Sequence, residues 1–228
     1  MQNKHNILIG CLLFILILMS CDEAAPARKN VELMPVETQL EPSNERKPDS
    51  TWMVIEMEDK GFVEMMAYAD TANFMHEKVY PCATCMLRSD VGKALYKAQE
   101  HAQSLGYRIV IFDCYRPLPL QQKMFDLVPD TRYVADPTKG SKHNKGAAVD
   151  ISLAHQDGHL IDMGTAFDDF TEKAHVHSKQ ISKQAQSNRQ LLQDIMSAAG
   201  FSGYEHEWWH FNFDGASYEN SSDRLWCP

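Results

Sequence analysis

Two separated stretches carry the residue types of a metal-assisted hydrolytic site. They are Ser141-Lys142-His143-Asn144-Lys145-Gly146-Ala147-Ala148-Val149-Asp150 and Glu207-Trp208-Trp209-His210. Between them they supply two imidazoles, an aspartate and a spare glutamate. A catalytic zinc site needs three protein ligands, an open fourth position for water, and a base beside that water. His143, Asp150 and His210 fill the ligand places for one zinc ion, and Glu207 is the base. The pattern S-x-H-x-x-G-x-A-x-D followed by E-x-x-H is too long to arise easily by chance.

The second stretch also contains a literal H-E-x-x-H, His206 to His210. That motif grips zinc only on a helix, where the two histidines share a face. Gly200, Gly203 and Gly215 crowd the segment, and Trp208 to Phe213 is aromatic-rich as strands are. His206 is therefore read as a neighbour of the site and not as a ligand.

The spacings dictate what must hold these side chains. Residues three or seven apart on a flat strand point to opposite faces. His143 is expected in a loop before a strand that carries Asp150, with Gly146 allowing the bend. Glu207 is expected at a turn entering the strand of His210. Asp113-Cys114-Tyr115-Arg116-Pro117 follows the β-rich run Arg108 to Phe112. Arg116 is placed there as a donor to the charge that builds on a carbonyl oxygen, with Asp113 beside it to orient the guanidinium. A surface ion pair at a strand end is the plainer alternative for those two.

The other elements follow from periodicity and stop signals. Met53 to Ile55 and Phe62 to Tyr68 read as early strands or strand–loop segments. Ser89 or Asp90 caps a helix with Val91, Ala94, Leu95, Ala98 and Leu105 on its apolar face, ending at Gly106. Pro117 and Pro119 break the chain before a short helix from Gln121 to Leu127. Ala147 to Leu153 is a buried strand. Ile181 to Ala199 is a helix with Leu191, Leu192, Ile195 and Met196 inward, and Trp208 to Phe213 is the last strand. Without a strict βαβ repeat the fold class is α+β: one domain, a central, mostly antiparallel sheet, flanking helices and the zinc site at the sheet.

The chain ahead of that domain reads as an address. Lys4 and His5 precede an apolar run from Ile7 to Met19, so residues 1–20 are a signal peptide, too short to span a membrane comfortably. Leu18-Met19-Ser20-Cys21 resembles the bacterial lipobox, which implies a lipidated Cys21. Residues 21–50 form a disordered tether with four of the ten prolines and no aromatic residue. Residues 51–228 are expected to form the globular domain that carries the zinc site. A periplasm-facing, membrane-anchored protein of the bacterial cell envelope is expected. The net charge of -9, without a basic stripe, argues against a nucleic-acid partner. Cys82, Cys85, Cys114 and Cys227 remain for disulfides, and three pairings are open. The C-x-x-C at Cys82 lacks the strand-then-helix setting of a redox motif.

The E-W-W-H and S-x-H-x-x-G-x-A-x-D segments, with D-x-Y-R-P ahead of them, resemble the D-alanyl-D-alanine dipeptidases (VanX-like zinc peptidases). The resemblance runs from about Phe62 to Asn212. It implies zinc on His143, Asp150 and His210, Glu207 as general base and Arg116 at the transition state. By the same resemblance, Asp168 in Met163-Gly164-Thr165-Ala166-Phe167-Asp168 holds the free amine of the substrate, with Ser141 as partner. Tyr68 and Asp113 join them as substrate-binding residues. Ala69 to Phe74 also resembles a family segment, although His76 stands where a glycine is common. A carboxylate that recognises an ammonium selects short substrates, since a longer peptide presents a neutral amide there. The expected activity is hydrolysis of D-Ala-D-Ala in cell-wall turnover or D-alanine salvage, with short peptidoglycan peptides as partners. The alternatives are a D,D-carboxypeptidase, an L-alanyl-D-glutamate endopeptidase, and a non-catalytic zinc protein that binds cell-wall fragments.

Overall fold

The buried runs around Ile109 and Val149 become the middle of a sheet because their side chains have no polar face to offer water. The computed structural model describes residues 52–215, 218, 219 and 227; the expected leader, Cys21 and tether over 1–50 lie outside them. The elements are β1 (Trp52–Val54), β2 (Val63–Glu64), β3 (Met86–Arg88), α1 (Ser89–Ser104), β4 (Tyr107–Asp113), α2 (Leu118–Leu127), β5 (Ala148–His155), α3 (Lys183–Ala198), β6 (Phe201–Tyr204) and β7 (Glu207–Phe213).

Five strands pair in the order β2-β4-β5-β7-β6. Only β2 against β4 is parallel, and the other pairs are antiparallel. β1 and β3 form a separate two-stranded ribbon. Helix α1 packs on β4, α3 packs on β6, and the two helices touch. Val91, Leu95 and Ala98 of α1 and Leu192, Ile195 and Met196 of α3 are fully buried. The class is α+β, with the mostly antiparallel sheet at its centre.

Several boundaries differ from the sequence expectation for identifiable reasons. Phe62 to Tyr68 is strand only at Val63–Glu64; a 3-10 turn at Ala67–Ala69 then carries Tyr68 inward. The cap of α1 falls on Arg88, while Asp90 sits in the first turn and accepts from the Val91 N–H. Leu105 lies just past α1 and is 47% exposed, so it leaves the apolar face. Pro119 does not break α2. It sits in the first turn, where its missing N–H has no helical acceptor to lose, and the helix starts at Leu118. Ser182 caps α3 by accepting from the Ala185 N–H.

The cysteines pair as Cys82–Cys227 and Cys85–Cys114, one of the three combinations left open. The two members of the C-x-x-C therefore belong to different crosslinks.

Candidate metal centre and active site

Asp150 and His210 stand directly opposite each other on the antiparallel strands β5 and β7. Cross-strand partners share a face, so the register alone brings carboxylate and imidazole together. His143 arrives from a 3-10 turn, His143–Lys145, just ahead of β5. Gly146 follows with φ +66°, and a Cβ there would lie 2.4 Å from the Trp52 ring. Backbone conformation and close approach both require glycine at this bend.

Three donor atoms converge. His143 Nε2 lies 3.1 Å from His210 Nδ1, His210 Nδ1 lies 3.0 Å from Asp150 Oδ1, and His143 Nε2 lies 3.3 Å from Asp150 Oδ1. The outward nitrogens fix the tautomers. His143 Nδ1–H donates to the Cys114 carbonyl at 2.6 Å, and His210 Nε2–H donates to Asn212 Oδ1 at 3.0 Å. With those outer bonds made, a neutral imidazole at each position turns its inward lone pair toward Asp150 Oδ1. Three such acceptors need a cation between them. Ligands at tetrahedral angles around zinc, with bonds near 2.0–2.2 Å, stand roughly 3.3 Å apart, close to this triangle. The donor set fits zinc. Among the described residues it is the one cluster of three or more His, Cys, Asp or Glu able to hold a metal ion.

Glu207 is set back from the triangle, its Oε2 lying 3.9 Å from His210 Nδ1. It is the first residue of β7 and so lies within the strand, not at a turn before it. The parity problem is solved by a slip in pairing: Gly203 faces Phe211 but Tyr204 faces Glu207. That extra length on β7 lets residues three apart line one cavity. Burial, then the charges of Asp150 and Asp168, hold the Glu207 carboxyl well above its ordinary value, against the pull of Arg116. A carboxylate so disposed accepts protons readily.

Arg116 is buried and not a surface ion pair. Its guanidinium donates to Asp113 Oδ2 at 2.9 Å, Gln121 Oε1 at 3.1 Å and Asp150 Oδ2 at 3.4 Å. One oxygen of Asp150 thus meets the imidazoles while the other meets Arg116. For Asp113 the orienting role agrees with the structure, and the substrate-binding role is corrected. Fully buried, it accepts from the Tyr80 hydroxyl and the Cys114 N–H as well as from Arg116, and it does not line the cavity. It aims the guanidinium.

The cavity beside the triangle has a volume of about 230 Å³, and Tyr68, Ser141 and Asp168 line it together with Arg116 and Glu207. That is small for a ligand site and suits a short molecule. Asp168 takes φ 59°, a left-handed conformation uncommon outside glycine, and accepts from the Tyr68 hydroxyl at 3.1 Å. Burial, then Asp150, push its carboxyl up to about 8, against Arg116. Asp169 instead accepts from the Thr171 N–H in the following turn. His76, read as standing in for a glycine, has φ 53°, the conformation glycine favours.

His206 sits between β6 and β7, packed against Tyr133, His175 and Tyr204, outside the donor triangle. His175 is half-buried in that group. Sequence reading missed three supporting residues. Asn212 lies two beyond His210 on the same strand face, so period-two reasoning could have found it. Gln121 fixes Arg116 from α2. Arg189 donates from α3 to the carbonyls of Met163, Lys173 and His175, tying down the segment that carries Asp168; nothing in its helical spacing pointed there.

Over residues 60–225 the sequence matches a peptidase family described as D-ala-D-ala dipeptidase. It is 39% identical over 163 residues to the D-alanyl-D-alanine dipeptidase of Escherichia coli, covering 71% of this chain and 84% of that protein. It is 32% identical over 175 residues to the D-alanyl-D-alanine dipeptidase of Enterococcus faecalis, covering 68% and 87%. Among solved structures, a vancomycin-resistance D,D-pentapeptidase in complex with Zn(II) is 17% identical, covering 57% of this chain and 74% of its own, with a TM-score of 0.39.

Proposed function

The chain belongs to the D-alanyl-D-alanine dipeptidase family and is a hydrolase of that class, and from that premise we propose that it cleaves D-Ala-D-Ala with one zinc ion held by His143, Asp150 and His210. The observation that carries the metal reading is the close triangle of ligand atoms from His143, Asp150 and His210, each imidazole held from behind by an outer hydrogen bond. When bound, zinc supplies Lewis acidity, polarising the scissile carbonyl and lowering the pKa of water to about 7.

The chain's own groups do the rest. Glu207 takes a proton from the attacking water and passes it to the leaving amine, so that water adds across one C–N bond and two D-alanines result. Arg116, aimed by Asp113 and Gln121, donates to the oxygen that gains charge. Asp168 holds the substrate's ammonium with Tyr68 as its buried support, and Ser141, which lines the same cavity, is its partner. An arriving ammonium favours the ionised form of a carboxyl otherwise pushed up to about 8, so charge forms at Asp168 when its partner is present.

Selectivity for a free amine tests this reading. The parent protein is expected to hydrolyse D-Ala-D-Ala and to ignore its N-acetylated form. Asp168→Asn should raise KM for the free dipeptide roughly 10- to 100-fold, the worth of a charge-assisted hydrogen bond of about 1.5–3 kcal/mol. Equal kcat/KM on both substrates in the parent would favour a D,D-carboxypeptidase. Bound zinc without turnover of any D,D-peptide would leave a cell-wall-binding protein.

The reaction is assigned to the cell envelope, in peptidoglycan turnover or D-alanine salvage. The signal-like residues 1–20 and the lipobox ending at Cys21 support this. The membrane fraction should hold the activity, and Cys21→Ser should release it; activity mainly in the cytosol of the parent strain would defeat the assignment.

A further inference from the structure

Cys114 touches the site through three of its groups. The β4–β5 register slips between Ile111 and Asp113, so the chain leaves the regular ladder just before Cys114. Its carbonyl accepts from the outer nitrogen of His143 at 2.6 Å. Its N–H donates at 2.9 Å to Asp113, the carboxylate that aims Arg116. Its sulfur is bonded to Cys85, beside β3, and both residues are fully buried. Neighbouring backbone bonds lace the same region: Tyr115 N–H to the Met86 carbonyl, Arg116 N–H to the His143 carbonyl, and Asn144 Nδ2 to the Arg116 carbonyl. The crosslink is the covalent member of that lacing.

We propose that the Cys85–Cys114 disulfide is a positioning device for His143 and Arg116, so that breaking it weakens zinc binding and slows turnover in the folded protein. The inference rests on the zinc reading above. The carbonyl opposite a ligating imidazole sets the ring's tautomer and direction, and losing such a partner typically costs about 10- to 100-fold in metal affinity. Chain entropy ranks the two crosslinks the other way. Cys85–Cys114 spans 29 residues and Cys82–Cys227 spans 145. If crosslinks acted only by restricting the unfolded chain, the longer loop would matter more. The site argument assigns the larger effect on the metal to the shorter one.

The experiment compares Cys85→Ala/Cys114→Ala with Cys82→Ala/Cys227→Ala in the full chain. Zinc affinity is measured by competition with a chromophoric chelator. Ligand geometry is read from the absorption of the cobalt-substituted protein, with kcat and KM alongside. The first variant is expected to bind zinc about 10- to 100-fold more weakly, with an altered cobalt spectrum and a lower kcat. The second should keep the parent's affinity and spectrum. If the first variant fails to fold, the second is reduced with a phosphine, leaving Cys85–Cys114 as the bond broken, and the same readings follow once thiol alkylation verifies reduction. Unchanged zinc affinity and cobalt spectrum after loss of that bond, even with a lower melting temperature, would overturn the proposal. A parent protein that binds no zinc would instead sink the metal reading on which it rests.

Discussion

Glu207→Gln is expected to lower kcat/KM by roughly 10²- to 10⁴-fold, or about 3–5 kcal/mol of transition-state stabilisation, while leaving one zinc per chain. The amide keeps the shape of the side chain but cannot accept a proton from water. Because Glu207 lies outside the triangle of ligating atoms, the metal should not notice the change. Stability should rise or hold. Burial first, and then the charges of Asp150 and Asp168, hold the native carboxyl above its ordinary value. Replacing it with a neutral group removes the cost of burying a charge together with the like-charge repulsion, the usual trade between activity and stability. Steady-state kinetics, metal analysis and a thermal melt of the variant check the three parts. Loss of zinc on this substitution would make Glu207 a ligand and not the base.

His143→Ala should strip the metal and reduce turnover to background, whereas His206→Ala should keep both. The first removes one of three donors and leaves two, too few for a zinc site to hold at ordinary concentrations. It also takes away an imidazole only 2% exposed, together with its bond to the Cys114 carbonyl. The second removes ring contacts with Tyr133, His175 and Tyr204, none of which is a ligand. Zinc content after dialysis and kcat/KM on D-Ala-D-Ala decide the matter. A His206 variant that loses its metal would restore the helical H-E-x-x-H interpretation, against the strand that carries His210.

What sequence could convey here follows from how far each signal reaches. Long apolar runs announced β4, β5 and β7 and the helices α1 and α3, since burial on one or both faces leaves a periodic trace. The convergence of His143, Asp150 and His210 was legible because ligand chemistry restricts residue types as well as spacing. Strand β6 was not, because four residues including Gly203 give too few side chains to set a period. The pairing slip that brings Glu207 into line was hidden for a related reason: spacing showed that a bend was needed but not which strand absorbs it. Asp113 was misplaced because its neighbour Arg116 does face the cavity. The buried hydroxyl of Tyr80, distant in sequence, is among the contacts that show the aspartate facing inward. The disulfide pairing depended on two loops meeting, which composition cannot specify.

The direct opposition of Asp150 and His210 ties occupancy of the metal centre to the alignment of two neighbouring strands. A chain that paired β5 and β7 one step out of phase would turn the imidazole to the other side of the sheet. No ion could bridge such an arrangement. A ligand that binds only the correctly aligned state weighs the equilibrium toward it. Zinc would then act as a proofreader of assembly, and the metal content of a preparation would count the molecules whose central strands are in phase.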